Sequence, residues 1–284
     1  MIKISVASGK GGTGKTTIAT NLAAALSARG KHVAYLDCDV EEPNGGIFLK
    51  PTISAKSAVS VLVPQIDLEK CTFCGDCAAI CEFNAIAVLK DNVIVFDSLC
   101  HSCGGCYHVC PEDAIKEVPR QIGEIQIGAA NGLKFMEGRL NIGESQAPPV
   151  TRQLKRGMPA SDIVIIDAPP GTSCPVIEAI SNTDYLILVS EPTPFGLNDL
   201  RLAVGMAREL KLPFGVIINR SDLGDNLTED YCKNEGIEIL LRIPFNRKIA
   251  EAYSDGRMAC HQSDNYGENL YRLYENIAGR ITND

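Results

Sequence analysis

One stretch constrains this chain more than any other: Ser8-Gly9-Lys10-Gly11-Gly12-Thr13-Gly14-Lys15-Thr16-Thr17. Gly9, four further residues and then Gly14-Lys15-Thr16 fit the phosphate-loop pattern. The flanks suit it. Ile2 to Ala7 reads as a short buried strand, and Thr16 to Ala28 reads as a helix with Gly30 placed to end it. A strand, a glycine loop and a helix start are what a phosphate group needs. Gly9, Gly11, Gly12, Thr13 and Gly14 let the backbone approach closely, and N–H groups converge on the anion at the positive end of the helix, where Thr17 also lies. Lys15 is placed to reach the β- and γ-phosphates of ATP, and the Thr16 hydroxyl to hold Mg²⁺.

The 284 residues suffice for one large α/β domain and a small module. No apolar run approaches the length of a membrane span. Met1 leads almost directly into a strand, so a cytoplasmic protein is expected rather than a secreted or membrane one. The net charge of −8 argues against nucleic acid as a partner. The charge is uneven. Residues 65–118 carry nine acidic residues and three lysines, which suggests an acidic docking face for a basic partner.

Twelve cysteines are too many for an ordinary cytosolic enzyme, where disulfides are disfavoured, so metal binding is the better explanation. Eight of them lie between Cys71 and Cys110, in an internal repeat. Cys71, Cys74, Cys77 and Cys81 recur, 29 residues on, as Cys100, Cys103, Cys106 and Cys110, and Ala85-Ile86 recurs as Ala114-Ile115. The spacing resembles that of the bacterial two-cluster ferredoxins. By that resemblance one [4Fe-4S] cluster takes Cys71, Cys74, Cys77 and Cys110, and the other takes Cys100, Cys103, Cys106 and Cys81. Pro111 follows the second run as that pattern expects, whereas Glu82 follows the first. Zinc is the structural alternative for a thiolate set, although these spacings are unlike common zinc sites.

Lys10, the second lysine of the phosphate loop, narrows the match. Lys-Gly-Gly-Thr-Gly-Lys-Thr-Thr resembles the deviant loop of the MinD/ParA and nitrogenase iron-protein ATPases. In that family the second lysine crosses a dimer interface to the partner's phosphates, which would give Lys10 a catalytic role tied to dimer formation. Lys31 to Leu36 reads as a second apolar strand ending in Asp37-Cys38-Asp39. The resemblance puts Asp37 near the metal and makes Asp39 orient the attacking water; a pair of turn aspartates is the plainer alternative. Glu41 to Pro64 looks less regular, a switch segment leading into an insertion.

The β-branched run Ile163 to Asp167 reads as a buried parallel strand. Asp167 fits a carboxylate that contacts Mg²⁺ through water, with Thr16 and Asp39 as the other candidate Mg²⁺ residues. The following Ala168-Pro169-Pro170-Gly171-Thr172 resembles the second switch of the cluster-carrier branch of these ATPases, with Gly171 sensing the γ-phosphate. Asn141 to Glu144 and the Pro148-Pro149 pair look like loop. Strands are expected at Tyr185 to Ser190, Pro213 to Asn219 and Glu238 to Ile243, with a helix from Phe195 to Leu210. Asn219 matches the residue that bonds the adenine edge in the resembled family, and backbone around Pro244 would wall that pocket. A last helix, Tyr266 to Ile281, carries one apolar face that suits docking on its own domain better than on a membrane.

Residues 1–64 and 119–284 thus resemble a MinD-type P-loop ATPase with a mostly parallel sheet flanked by helices, and residues 65–118 a ferredoxin domain inserted into it. The expected function is nucleotide-gated electron transfer through two [4Fe-4S] clusters. The alternatives are an iron–sulfur scaffold or carrier ATPase, and a positioning ATPase with redox-sensing clusters. The expected partners are a second copy or a paralogue, in a nucleotide-dependent dimer, and a redox or iron–sulfur acceptor with a basic face.

Overall fold

A computed structural model describes residues 1–261 and 265–281. In chain order the elements are β1 (Ile2–Ala7), α1 (Lys15–Ser27), β2 (Val33–Asp37), α2 (Gly45–Leu49), β3 (Thr52–Ile66), α3 (Asp76–Ala79), β4 (Ile86–Val88), β5 (Val93–Val95), α4 (Gly105–Val109), β6 (Ile115–Ala130) and β7 (Leu133–Leu140). They continue with α5 (Ala147–Arg156), β8 (Ile163–Asp167), α6 (Cys174–Ile180), β9 (Tyr185–Ser190), α7 (Pro194–Glu209), β10 (Phe214–Asn219), α8 (Leu227–Asn234), β11 (Ile239–Ile243), α9 (Arg247–Ser254) and α10 (Tyr266–Ile281).

Nine strands make one sheet in the order β11-β10-β9-β1-β8-β2-β7-β6-β3. From β11 to β7 every neighbouring pair is parallel; β6 and β3 add an antiparallel edge. The central strands β1, β8 and β2 are apolar along most of their length because helices cover both faces of the sheet. One face packs α5, α6 and α7, through Val150 and Leu154, Val176 and Ile180, and Leu200 and Val204. The other packs α1 and α10, through Ile18 and Leu22, and Leu270, Leu273 and Ile277. The apolar face of α10 is therefore covered by its own domain.

The segment from Glu41 to Pro64 is more regular than its sequence suggests. It holds α2 and most of β3, a strand whose outer half alternates buried Val59, Val61 and Val63 with exposed Ser60 and Leu62. After Thr52 and Ile53, residues 54–58 are Ser, Ala and Lys, which carry little strand signal of their own; pairing with β6 along the whole length supplies the order. Pro148 and Pro149 do not lie in a loop. They occupy the first turn of α5, where a proline lacks only an N–H that the helix would leave unpaired.

β3 and β6 form a ribbon. Ser60–Ile66 and the β6 residues paired with it run past the end of β7, about 20 Å at strand rise, and residues 67–114 lie at its tip. That module holds α3, α4 and the two-stranded β4–β5 sheet. Its own core is Cys77, Ile86, Val93 and Ile115. The internal repeat is visible in the backbone. The left-handed residues Phe73, Gly75 and Asn84 return 29 positions on as Ser102, Gly104 and Asp113.

Candidate functional site: a nucleotide cleft and two cysteine cradles

The phosphate loop joins the C-terminal end of β1 to α1, at the end of the parallel sheet where open α/β folds bind ligands. Gly14 precedes α1 with φ +95°, so no side chain caps the helix, and its first N–H groups are available to an anion. Two glycines are sterically required. A Cβ on Gly14 would lie 2.5 Å from the Asn219 amide nitrogen, and one on Gly9 would lie 2.2 Å from the Asp199 carbonyl oxygen of α7.

Three charged groups meet below the loop. Lys15 Nζ lies 3.8 Å from Asp39 Oδ2 and 3.7 Å from Asp167 Oδ1. Asp39 stands just beyond β2 and Asp167 at the end of β8, adjacent parallel strands, so the sheet brings them to one side of the lysine. Burial pushes the Asp39 carboxyl up to about 6, with Lys15 pulling it back and Asp167 adding to the rise. Burial also raises Asp167, opposed by Lys15, Thr16 and Tyr35. Asp167 Oδ2 accepts a hydrogen bond from the Tyr35 hydroxyl at 3.0 Å, while its Oδ1 has no hydrogen-bond partner among the described residues. A buried acceptor left open beside a lysine and the Thr16 hydroxyl suits a hydrated Mg²⁺. The donor set therefore fits the metal.

Asp37 is placed differently. It is fully buried, and its carboxylate accepts from the backbone N–H of Asp39, Asn44 and Gly45, the last at 2.8 Å. It thus fixes the turn after β2 and the start of α2. The turn after β8 is held by Gly171, at φ +98°, whose N–H donates to the Ser8 carbonyl at 2.9 Å.

A cleft opens from Gly11, Gly12, Gly14, Lys15, Thr16 and Thr17 and runs past Asp39 to Asn219, Pro244 and Phe245. Gly9, Lys10, Thr13, Asp37, Asp167 and Gly171 are not on its wall. Lys10 is half-buried at the loop. Asn219 braces the loop directly, its amide donating to the Thr13 carbonyl at 2.8 Å. Sequence reasoning missed the far wall of the cleft, where Ile249 and Tyr253 of α9 join Tyr266. It also missed Tyr35, whose role depends on a contact across the sheet.

The eight clustered cysteines line two further cavities. One is bordered by Cys71, Cys74, Cys77 and Cys110, the other by Cys81, Cys100, Cys103 and Cys106. Each therefore draws three thiols from one run and one from the other. The two crossing thiols are matched: the N–H of Ala85 donates to Cys81 Sγ and that of Ala114 to Cys110 Sγ, both at 3.3 Å. Among the described residues no three Cys, His, Asp or Glu side chains close on a single ion. Four thiols set around a cavity fit a polynuclear cluster, which needs ligands spaced about its corners. Burial raises the thiols of Cys77, Cys100 and Cys106, the last to about 11.

The fold and the loop define a P-loop nucleotide-binding protein. Residues 4–259 match the CobQ/CobB/MinD/ParA nucleotide-binding domain, and the chain belongs to that family. Among its relatives, an uncharacterized protein of Methanocaldococcus jannaschii is 30% identical over 98% of this chain and 96% of its own length. A protein of the same organism named iron-sulfur cluster carrier protein is 27% identical over 98% of this chain and 86% of its own length. The MinD cell-division ATPase of Pyrococcus furiosus shares the fold, with a TM-score of 0.59 at 20% identity over 98% of both chains. No helix among the described residues is long and apolar enough to cross a membrane.

Proposed function

We propose that this chain is an ATP-hydrolysing iron–sulfur protein, and that it carries clusters to an acceptor. The relatives named as iron–sulfur cluster carriers favour that role over the electron-transfer role expected from the sequence. The observation that carries the ATPase half is the Lys15–Asp39–Asp167 constellation under an uncapped helix start. In it Lys15 turns from the carboxylates to the phosphates when ATP enters. Asp39, ionised near neutrality, then orients a water in line with the γ-phosphate, and Lys10 reaches the phosphates across a dimer of two such chains. The Thr16 hydroxyl, Asp39 and Asp167 would hold Mg²⁺, which neutralises charge on the phosphates when bound. Asn219 and the backbone at Pro244 face the base.

Residues 65–118 form the iron–sulfur half, an inserted ferredoxin-like domain with Cys71, Cys74, Cys77 and Cys110 around one [4Fe-4S] cluster and Cys81, Cys100, Cys103 and Cys106 around the other. A specific observation favours a second reading, in which these clusters stay and pass electrons. Each cavity already offers four thiols from one chain, a closed ligand set suited to a resident redox centre. Under either reading the acidic module faces a basic partner.

One experiment separates the two. The chain is loaded anaerobically with iron and sulfide and mixed with an apo-acceptor of [4Fe-4S] clusters, with and without MgATP. Iron and sulfide moving to the acceptor in an ATP-dependent way support the carrier. Clusters that stay and are reduced reversibly support electron transfer. A chain that takes up zinc and forms no cluster overturns both.

A further inference from the structure

Four contacts converge on α5 and on Glu144 and Gln146 just before it, none of which belongs to the nucleotide cleft or the cysteine set. At its start, the Gln146 amide donates to the backbone carbonyl of Cys100 at 2.6 Å, so the helix grips the second cysteine cradle by its main chain. Beside that contact Glu144 takes both terminal nitrogens of Arg120 from the ribbon strand β6. At its end, Lys155 Nζ donates to the carbonyls of Glu178, Ala179 and Ser181, at 2.6, 2.9 and 2.7 Å. Those are the last carbonyls of α6, the helix that starts directly after the Gly171 turn. Between the two ends, Val150 and Leu154 face Val40, the residue after Asp39. They are close enough that a Cβ on the intervening Gly138 would lie 2.7 Å from Val40 and 3.0 Å from Val150.

We infer that α5 couples the Cys100 cradle to the nucleotide site, with Gln146 and Lys155 as its positioning residues. This rests on the reading of residues 65–118 as an iron–sulfur module. The physical argument is stiffness and bond strength. An ammonium shared by three helix-end carbonyls is a charge-assisted contact, and it holds α6 against α5. The close packing at Gly138 leaves no slack between α5 and the strand end that bears Asp39. A shift of the turns after β2 and β8 on binding nucleotide is therefore passed to α5 as a rigid body. The only polar contact from α5 to the cysteine module among the described residues is the one through Gln146 to Cys100. Coupling is reciprocal, so the state of the cradle changes nucleotide affinity by the same factor that nucleotide changes the cradle.

The test uses the full chain, anaerobically, with Gln146→Ala and Lys155→Met beside the wild type. The affinity of a non-hydrolysable ATP analogue with Mg²⁺ is measured on protein loaded with iron and sulfide and on the same protein stripped by a chelator. The wild type is expected to show a change of fivefold or more between the two forms. Gln146→Ala is expected to reduce it below twofold while iron content and the affinity of the stripped form stay at wild-type values. Lys155→Met should do the same, and Lys155→Arg, which keeps the donors, should restore the change. A wild type that loads iron and binds the analogue with no difference overturns this inference and leaves the proposed function standing. Full coupling in both Gln146→Ala and Lys155→Met also overturns it. A wild type that takes up no iron overturns the iron–sulfur reading and this inference together.

Discussion

The nucleotide cleft and the cysteine module are held in shape by different means. The cleft sits on strands β1, β2 and β8, whose inner residues are almost wholly buried between two helical layers. Its charged residues are positioned by packing and exist in place before any ligand arrives. The module's buried core is small: Cys77, Ile86, Val93 and the adjoining Ile115, with Ala85 and Ala114. Fewer than fifty residues with so small a core do not fold on hydrophobic burial alone; disulfides or metals usually make up the difference. The cleft is therefore a preformed site, whereas under the proposed iron–sulfur reading the module would gain its order from its metal.

The strongest way to break this contrast is to remove the metal. Stripping iron with a chelator should raise amide exchange across residues 67–114 toward that of an unfolded chain. Protection in β1, β8 and β9 should stay as it was. Equal loss in both regions would mean that the module's order supports the main sheet, and equal retention that its small core suffices. Within the cleft the largest effect on nucleotide affinity should come from Gly14→Ala. The added methyl meets Asn219 at 2.5 Å and forces a φ of +95° on alanine. Nucleotide affinity should fall at least about a hundredfold, from strain and displacement of a few kcal/mol. Lys15→Ala, measured as hydrolysis rate at saturating MgATP, should cost about 10²- to 10³-fold, the scale for removing a charge-stabilising donor.

The same contrast explains what could be read from sequence. The parallel strands were legible because buried strands are written as β-branched runs, as at Ile163 to Asp167. The glycine loop was legible because its chemistry tolerates few substitutes. The pairing of three thiols from one run with one from the other was implied by the resemblance to two-cluster ferredoxins, not by spacing alone. β3 was illegible because its first half is stabilised by its partner strand rather than by its own residues. Tyr35, Gln146 and Lys155 carry no local signal, since each acts on a residue far away in sequence: Asp167, Cys100 and the end of α6. The family resemblance set Asp37 near the metal and Asp39 on the attacking water; the backbone contacts that Asp37 makes to Asn44 and Gly45 carry no local signal.

That difference gives a sharper test inside the cleft. Among the described residues the Asp37 carboxyl accepts from three backbone N–H groups and makes no ion pair with Lys15, whereas the Asp39 carboxyl lies beside Lys15, and the Glu42 N–H donates to the Asp39 backbone carbonyl at 3.2 Å. Asp37→Ala leaves buried donors unpaired and should cost about 1–3 kcal/mol of stability, read as a lowered midpoint in urea. Asp39→Ala removes a buried carboxylate whose ionised form burial disfavours, so at neutral pH it should not lower the midpoint, yet it should abolish most hydrolysis. If the two variants behave alike, the division of labour between the aspartates is wrong.

The smallest effect is on pH dependence, and its sign is fixed by burial. The Asp39 carboxyl is raised to about 6, chiefly by desolvation. In the unfolded chain it titrates near the ordinary aspartate value of about 3.9. Between those two values the folded state holds a proton that the unfolded state has released. Stability therefore falls as pH rises through that window and is flat above it, the reverse of a salt-bridged surface carboxylate. Asp37 and Asp167 are raised by burial as well, so the wild-type curve alone mixes three groups. The difference between wild type and Asp39→Asn isolates one. Nucleotide-free wild type should lose stability relative to the variant from about pH 4 to about pH 6, and the gap should then stay constant. Hydrolysis should rise over the upper part of the same range, because the ionised carboxylate accepts a hydrogen bond from the attacking water more strongly than the protonated acid does. A stability gap that opens in the opposite direction would mean that Lys15, not burial, dominates the environment of Asp39, and the cleft would then be less preformed than its packing implies.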